Sequence, residues 1–393
     1  MPSLWLLVLW LLSVLFAGVF RSRSYAVFAA VVLGVQCLIW LGLRGCVPSN
    51  LMLPFGMLQA ATFGHYGSLV RPRRRPAWFR FGVSVPALTF SAGTMLAMPW
   101  AVLCLWTPVP GWWLPWVLAV WGLGQSFRAK RETVDLALDG ESVPGPVRLK
   151  RVRGLEGDPL TVVQIADPHL GPFMSEGRLR RICARAVALD PDIVAITGDF
   201  LTMESQPEVE MVSRALRPLQ ELPGRVFACL GNHDLEAIDT VRTACRRNGI
   251  RLLVDEAHTC STRLGAVQIV GLHHRWRERR ARLQAAMEGL PASDGCVLRI
   301  VLLHDPTGFA DLPEGSGPLV LAGHTHGGQL GLLSLGLSWT ALRVFAPSIP
   351  DHGFWARGRD RLYVSRGVGH YGFPLRIGVP GEENLLRVFL RRS

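Results

Sequence analysis

The sequence contains few cysteines, and none of them form a Cys-x-x-Cys pair. Eight cysteines are spread over 393 residues, and three of them lie in the apolar first third of the chain. The remaining five form an odd, widely spaced set that predicts neither a disulfide framework nor a structural zinc knuckle. This set is compatible with a reducing compartment. Internal repeats and low-complexity tracts are also absent from the sequence.

Acidic residues are fewer than basic ones, with 30 Asp and Glu against 42 Lys and Arg, so the formal net charge is +12. An excess of this size can indicate a nucleic-acid partner. Here, however, many basic residues stand at the ends of apolar stretches, and the aromatic residues do not alternate with them. We therefore expect no nucleic-acid partner and attribute the basic excess to contact with anionic lipid headgroups.

Charged residues are sparse over long stretches of residues 1–126, which we interpret as an α-helical transmembrane region. A bilayer core requires roughly 20 apolar residues per helix. No basic segment precedes the first stretch, so a cleaved signal peptide is not expected. One segment, 51–70, is weaker because it contains Pro54, His65 and Tyr66, and the alternative places it in a loop, which leaves four spans. The five predicted spans are residues 4–20, 25–43, 51–70, 81–105 and 112–123.

The distribution of arginine and lysine favours five spans over four. Basic clusters occur at residues 21–23, 71–80 and 128–131, whereas residues 46–50 and 107–111 contain no Arg or Lys. Five spans place all three basic clusters on the same side of the membrane, as the positive-inside rule prefers, whereas four spans split them. This arrangement predicts an N-terminus outside and a cytoplasmic location for everything that follows the last span.

The pattern changes after the apolar region. Residues 127–158 are charged and contain Gly and Pro, which predicts a linker with a possible edge strand at 133–138. In residues 159–393, short β-rich runs alternate with stretches whose apolar residues recur every three to four positions. This alternation predicts an α/β layered domain. The β-rich runs are residues 162–166, 193–197, 226–230, 267–272, 300–304 and 319–322.

Potential metal ligands stand at the ends of five of these runs. Open α/β sheets bind ligands at the carboxyl ends of their strands. One such motif alone is weak evidence, because Asp and Gly are common in turns. Five in succession predict a single site. The motifs are Asp167-Pro168-His169, Gly198-Asp199, Gly231-Asn232-His233-Asp234, His304-Asp305 and Gly323-His324-Thr325-His326.

The types of these side chains indicate the chemistry of the site. Oxygen and imidazole donors without thiolates suit divalent Mn, Fe, Zn or Mg, among which we favour Mn. Seven donors are too many for one ion. Two ions about 3.5–4 Å apart that share a carboxylate would use all seven, and such a pair stabilises phosphoryl transfer. His324 and His326 lie on one turn and can reach different ions.

The order of the motifs resembles that of the calcineurin-like metallophosphoesterase superfamily over residues 162–390. Residues 327–330 and 362–367 are similar to its bacterial membrane-associated phosphodiesterase branch. The resemblance implies a four-layer α/β/β/α sandwich, with Asp199 bridging the ions and His233 orienting the phosphate and protonating the leaving oxygen. It further implies that Asp167, His169, Asp199 and His326 hold one ion, and that Asp199, Asn232, His304 and His324 hold the second.

Two positions depart from the pattern of that superfamily. Pro168 removes a backbone N–H from the first motif. Several branches also carry an acid three residues after the bridging aspartate, where this sequence has Thr202. Glu204 or Asp234 could take the place of this acid.

Two further segments admit two interpretations each. His273 and His274 precede several arginines, and we expect them in a solvated basic helix, although they could line the cleft. Residues 332–345 are apolar with few charges and are expected to form a core strand or hairpin. The alternative is an interfacial element that dips towards lipid beside the site.

Together these features predict a dinuclear metallophosphoesterase that is anchored in the bacterial inner (cytoplasmic) membrane by several helices. It would cleave a phosphodiester or pyrophosphate bond. The resemblance suggests a lipid-linked substrate such as a nucleotide-linked acylated glucosamine. The alternatives are a phosphodiesterase or nuclease for soluble substrates, and a receptor that binds a phosphorylated ligand without catalysis.

Overall fold

A computed structural model describes residues 2–138, 141–150, 155–370, 372–373 and 375–390. The chain forms two compact units. The first consists of residues 1–126 together with residues 371–377, and the second of residues 127–370 together with residues 378–393.

The first unit is helical. Among the described residues, one helix, Arg23–Leu43, is long and apolar enough to cross a membrane by length and composition, and Leu4–Phe20 is apolar but shorter. Most of the weak segment 51–70 is helical, and a π-helical turn spans Arg80–Ser84. The helices are α1 (Pro2–Phe20), α2 (Arg23–Leu43), α3 (Met52–Ser68), α4 (Ala77–Phe79), α5 (Val85–Leu96), α6 (Met98–Leu103) and α7 (Leu114–Ser126).

A disulfide joins Cys46 and Cys104 in this unit, with 6.3 Å between their Cα atoms. The two cysteines are 58 residues apart, and their spacing in the sequence did not reveal the bond. The five cysteines of the second unit are free, and three of them, Cys183, Cys229 and Cys245, are buried.

The second unit contains two sheets. The first has six strands in the order β1-β13-β3-β4-β5-β6, and the second has seven in the order β2-β11-β12-β10-β9-β8-β7. The strands are β1 (Ala129–Leu138), β2 (Val143–Arg148), β3 (Leu160–Ile165), β4 (Ile193–Thr197), β5 (Val226–Cys229), β6 (Arg251–Leu252), β7 (Glu256–Thr262), β8 (Gly265–Gly271), β9 (Leu298–Leu302), β10 (Leu319–Ala322), β11 (Gly353–Gly358), β12 (Asp360–Val364) and β13 (Gly381–Leu390).

Alternation along the strands explains how the two sheets stack. Val162 packs in a core shared with Ile300 of the other sheet, whereas its neighbour Val163 packs on the outer face. Because successive side chains point to opposite faces, each central strand is apolar on both sides. The sheets therefore pack face to face, with helices outside each, and the predicted four-layer α/β/β/α sandwich is confirmed. The helices of this unit are α8 (Glu176–Ala188), α9 (Val209–Leu216), α10 (Ile238–Arg247), α11 (Arg279–Glu288) and α12 (Ala341–Phe345).

Helix α8 shows how the sequence specifies the outer layer. Ser175 caps its N-terminus by accepting a hydrogen bond from the Arg178 N–H at 3.2 Å. The buried residues of the helix recur at three- to four-residue spacing, which matches the helical period and places them on one stripe against the first sheet. These residues are Leu179, Ile182, Cys183 and Ala186.

The described residues of segment 127–158, which was expected to be a linker, are folded into the second unit. It contains the expected edge strand, because β1 pairs in parallel with β13 along the edge of the first sheet. It also supplies β2, which pairs with β11 at the edge of the second sheet. Edge strands tolerate residues such as Pro144 and Pro146 because one side of the strand needs no ladder hydrogen bonds.

Residues 332–345 do not form the expected core strand or hairpin. They form a 3-10 turn at Leu333–Leu335, a left-handed Gly336 with φ of 78°, and helix α12. The left-handed residue interrupts any extended run, and the segment leaves much of its apolar surface exposed. Six of its apolar side chains are exposed, namely Leu332, Leu335, Leu337, Trp339, Val344 and Phe345.

Candidate metal centre

The structure brings the sequence motifs together at one edge of the sandwich. Strands β3, β4 and β5 are neighbours and parallel, and so are β9 and β10. Parallel neighbours end at the same edge of a sheet, so the residues that follow them converge. The residues that follow these strands are Asp167, His169, Asp199, Asn232, His233, His304, His324 and His326.

Five of these residues have left-handed backbones. Nine non-glycine residues of the described chain have positive φ, and more than half of them belong to this site. Such conformations are costly for residues other than glycine and concentrate at functional sites, where the surrounding structure enforces them. Here they turn the chain sharply at each strand end. The φ values are 51° for Asp167, 47° for His169, 56° for Asp199, 70° for His324 and 50° for His326.

Asp167, His169 and His326 form the first group of donors, whose ligand atoms lie within 4.8 Å of one another. His326 Nε2 is 3.9 Å from Asp167 Oδ1 and 3.3 Å from His169 Nε2. All three residues are buried. Converging imidazole nitrogens and a carboxylate, removed from water, fit a divalent cation because the cation compensates buried polar atoms of this kind.

Asp199, His304 and His324 form the second group within the same distance limit. His304 Nε2 lies 3.3 Å from Asp199 Oδ2 and 3.2 Å from His324 Nδ1. Asn232 joins this group, since its Oδ1 lies 3.1 Å from His304 Nε2. The set again consists of oxygen and imidazole donors, which suits the same class of cation.

Asp199 lies between the two groups. Its Oδ2 is 3.4 Å from His169 Nε2 of the first group and 3.3 Å from His304 Nε2 of the second. Its other oxygen, Oδ1, accepts a hydrogen bond from the His233 N–H at 2.9 Å. One carboxylate thus reaches donors of both groups, which is the geometry that a bridging ligand requires.

Backbone carbonyls orient two of the histidines. His304 Nδ1 lies 2.8 Å from the carbonyl oxygen of Thr197, and His169 Nδ1 lies 3.2 Å from that of Leu201. A hydrogen bond from Nδ1–H to a carbonyl fixes the tautomer and places the lone pair on Nε2, the nitrogen that would bind a metal. The rings therefore present the correct nitrogen to the site.

The pKa values of the histidines at the site are shifted in opposite directions. Burial lowers the pKa of His169 to about 3 and that of His324 to about 4, so both rings are neutral, which is the form that binds metals. Burial also acts against the charge of His304, but the Asp199 carboxylate outweighs it and raises the pKa of His304 to about 10. Burial disfavours the Asp199 anion, yet His304 and His169 hold the pKa of Asp199 well below its usual range.

Two glycines make room for the carboxylates. A Cβ atom on Gly231 would lie 2.1 Å from Asp199 Oδ1, and a Cβ atom on Gly323 would lie 2.3 Å from Asp167 Oδ2. Both distances are far shorter than a van der Waals contact, so only glycine fits at these positions. The glycines of the two motifs therefore position the donors by allowing close approach.

Asp234 stabilises the loops that carry the donors by accepting hydrogen bonds from their backbones. It is fully buried, and its carboxylate accepts hydrogen bonds from the Gly231 N–H at 2.9 Å and the Leu201 N–H at 3.2 Å. Burial, and then the charge of Asp199, raise the pKa of Asp234 to about 7. The Thr202 hydroxyl donates to the Leu170 carbonyl oxygen at 2.8 Å and so also holds a loop.

His274 was expected in a solvated basic helix, and this expectation is wrong. The helix begins only at Arg279, and His274 is 6% exposed. Its ring centroid lies 5.9 Å from that of His304 and 6.2 Å from that of His324. The arginines that follow suggested a charged surface, but the signal that mattered was the position of His274 just after a β-rich run.

Residues 160–328 match the family described as calcineurin-like phosphoesterase. Residues 160–328 of the second unit therefore form a calcineurin-like phosphoesterase domain. It is therefore the domain of a phosphoester hydrolase, as the motif order predicted.

Relatives with the same domain occur in bacteria and vertebrates. Phosphodiesterase YaeI of Escherichia coli is 28% identical over 239 residues, which cover 58% of this chain and 82% of the relative. An uncharacterized metallophosphoesterase of Helicobacter pylori is 28% identical over 58% of this chain and 60% of its own length. A transmembrane protein with metallophosphoesterase domain from Danio rerio is 28% identical over 68% of this chain and 59% of its own length. The chain thus spans about three fifths of the last two relatives.

Proposed function

We propose that the protein is a membrane-anchored, dinuclear metal-dependent hydrolase of phosphodiester or pyrophosphate bonds. The position of Asp199 carries this proposal, because one carboxylate oxygen lies within 3.4 Å of histidines from both donor groups. Two divalent ions held in this way supply Lewis-acid stabilisation of the charge that develops on the phosphoryl group. The residues assigned to the ions are Asp167, His169, Asp199 and His326 for the first, and Asp199, Asn232, His304 and His324 for the second.

His233 is the residue that we assign to proton donation. Its backbone N–H is fixed by Asp199, and its ring centroid lies 5.3 Å from that of His169. Burial, the largest effect on this group, lowers the pKa of His233. A histidine at this position can orient the phosphate and donate a proton to the leaving oxygen.

Hydrolysis of bis-p-nitrophenyl phosphate with added manganese tests the activity. We expect Asp199→Ala to abolish turnover and to lower the bound metal per chain. Asp239→Ala is the matched control, because this carboxylate is exposed on helix α10. A metal-loaded wild-type protein that cleaves no diester, monoester or pyrophosphate would instead favour a receptor that only binds a phosphorylated ligand.

Membrane anchoring is supported by the surface of the first two helices. Helix α2 is long and apolar enough to span a bilayer, and α1 exposes large apolar side chains that include Trp5, Leu15 and Val19. Several large apolar side chains exposed on one helix suit contact with lipid. We propose that residues 1–126 pass through the membrane five times.

The disulfide supports the proposed orientation. Cys46 lies in one of the two segments without Arg or Lys, and Cys104 lies three residues before the other, near the side of the membrane opposite the basic clusters in the five-span arrangement. Disulfides persist in oxidising compartments, and the free thiols of the second unit suit a reducing one. We therefore place the catalytic unit on the cytoplasmic side of a bacterial inner membrane. A C-terminal alkaline phosphatase fusion should be inactive, whereas a C-terminal green fluorescent protein fusion should fluoresce; the reverse result would refute this orientation.

A lipid-linked substrate is supported by the exposed apolar segment 332–345. This segment follows the metal-binding turn directly, and a Cβ atom on Gly328 of that turn would lie 2.8 Å from Leu342 Cβ. Its only charged residue is Arg343, and Trp339 is of the type that favours membrane interfaces. A substrate with a lipid tail, such as a nucleotide-linked acylated glucosamine, could remain in the bilayer while its phosphate reaches the site.

Comparison of two substrates tests the lipid proposal. We expect Leu335→Ser with Leu337→Ser to lower kcat/KM for a lipid pyrophosphate in mixed micelles and to leave hydrolysis of bis-p-nitrophenyl phosphate unchanged. The control is Leu189→Ser with Val297→Ser, two exposed apolar residues elsewhere in the unit. Equal wild-type rates on lipid and soluble diesters would favour a phosphodiesterase or nuclease for soluble substrates.

A further inference from the structure

Three neighbouring strands of the second sheet each end close to a histidine. Strands β8, β9 and β10 are parallel and adjacent, so they end at the same edge of the sheet. His304 and His324 follow β9 and β10 by two residues, and His274 follows β8 by three. His274 therefore continues the row of histidines beyond the second donor group.

The imidazole of His274 is buried but incompletely satisfied. The residue is 6% exposed, and its Nε2 makes no hydrogen bond to any described part of the chain. Leaving a buried polar nitrogen without a partner is unfavourable, and such a group calls for an explanation, such as strain, a water, an ion or a catalytic role. The ring lies beside the second donor group, with its centroid 5.9 Å from that of His304, and this location suggests what the ligand is.

The segment around His274 is held firmly. Asp255 accepts a hydrogen bond from the His273 N–H at 2.9 Å and forms an ion pair with Arg275. The ring of Trp276 packs edge-on against that of His274, with 4.6 Å between the centroids. The backbone on both sides and the ring itself are thus fixed, so His274 is placed in advance rather than recruited from a mobile surface.

We propose that His274 binds the phosphoryl group of the substrate, donating a hydrogen bond from Nε2 to a non-bridging oxygen. The proposal rests on the proposed function for the identity of the substrate. The groups of mutually close donors in the described chain contain His304 and His324 but not His274. We therefore assign His274 to the substrate and not to either ion.

Three variants separate hydrogen bonding from packing. His274→Phe keeps an aromatic ring against Trp276 but removes the donor, whereas His274→Gln retains an amide N–H near the position of Nε2. His258→Phe is the matched control, because His258 lies on strand β7 of the same sheet and belongs to none of the motifs. Each full-length protein is purified in detergent, and four quantities are measured: bound manganese per chain, melting temperature, kinetics with bis-p-nitrophenyl phosphate, and orthophosphate affinity by calorimetry.

We expect His274→Phe to raise KM and the orthophosphate Kd by about tenfold or more, the value of one hydrogen bond to a charged group. Bound manganese should remain at the wild-type level, and His274→Gln should recover most of the affinity. Loss of manganese in His274→Phe would show an ion ligand and overturn the proposal. A lower melting temperature with unchanged KM and Kd would show a packing role and overturn it equally.

Failure of the proposed function is distinguishable from failure of this inference. If the wild-type protein hydrolyses no phosphoester, the proposed function fails, but orthophosphate binding to the manganese-loaded chain still reports on His274. If turnover is normal and the orthophosphate Kd is the same in wild type and His274→Phe, only the role of His274 is refuted.

Discussion

Gly231→Ala tests the central position of Asp199 without removing any donor. The new Cβ atom would lie 2.1 Å from Asp199 Oδ1 and 2.4 Å from the Asp199 backbone nitrogen. An ordinary contact begins near 3.4 Å, so the carboxylate and the Gly231 loop must separate by about 1.3 Å. The backbone nitrogen cannot rotate away as a side chain can, and the loop that carries Asn232 must therefore move.

A displacement of about 1 Å at a catalytic centre costs roughly 100-fold in rate, and overpacking of a buried site costs about 1–3 kcal/mol of stability. We therefore expect Gly231→Ala to lower kcat/KM for bis-p-nitrophenyl phosphate by about 100-fold and to weaken manganese binding. Gly177→Ala is the control, since a Cβ atom there meets only the far end of Arg181 at 3.7 Å. Activity of Gly231→Ala within about threefold of wild type would refute the inference that Asp199 joins the two groups.

Three further predictions concern pH, the loops and the disulfide. In the chelator-treated protein, burial opposes the charge of His304, but Asp199 outweighs it and raises the pKa of His304 to about 10. The stability that this ion pair contributes is therefore complete below about pH 6.5 and is lost as the pH rises through 10. The melting temperature should fall over that range, and His304→Gln should flatten the fall. Asp234→Ala should lower the free energy of unfolding by about 2–5 kcal/mol in denaturant titration, because two buried N–H groups lose their acceptor. Maleimide labelling of denatured protein should modify six thiols before reduction and eight afterwards; eight before reduction would contradict the Cys46–Cys104 bond.

The layered fold and the convergence of the motifs could be predicted because each depends on local sequence. A short β-rich run that is buried on both faces identifies a central strand, and the residues after it must lie at the edge of the sheet. The turns at Asp167, Asp199 and His324 follow such runs directly, so their place at the edge of a sheet could be predicted without any distance. The stacking of the two sheets then brings together Asp167 and His326, which are far apart in sequence and follow β3 and β10 on different sheets.

Features that depend on tertiary structure were not predictable in the same way. The sequence context of His274, with arginines on one side, is that of a surface helix, and only the order of β8, β9 and β10 places it beside the site. The bond between Cys46 and Cys104 requires the ends of two separate helical segments to meet, and spacing alone does not encode this. Residues 332–345 have the composition of a core strand although six of their apolar side chains are exposed, because composition alone does not distinguish a buried apolar segment from an exposed one.

The left-handed backbones at the site affect both the stability of the fold and the directions of the donor side chains. Each non-glycine residue in this conformation costs on the order of 1 kcal/mol, so five of them cost an amount comparable to the net stability of a small domain. This cost must be offset nearby, and hydrogen bonds between the turns do so. The His169 N–H donates to the Asp199 carbonyl oxygen at 3.0 Å, and the His324 N–H donates to Asp167 Oδ1 at 2.9 Å. The conformations also separate His324 from His326, so that two histidines on one turn join different donor groups. A turn with ordinary backbone angles would avoid this cost, but it would direct the two rings differently.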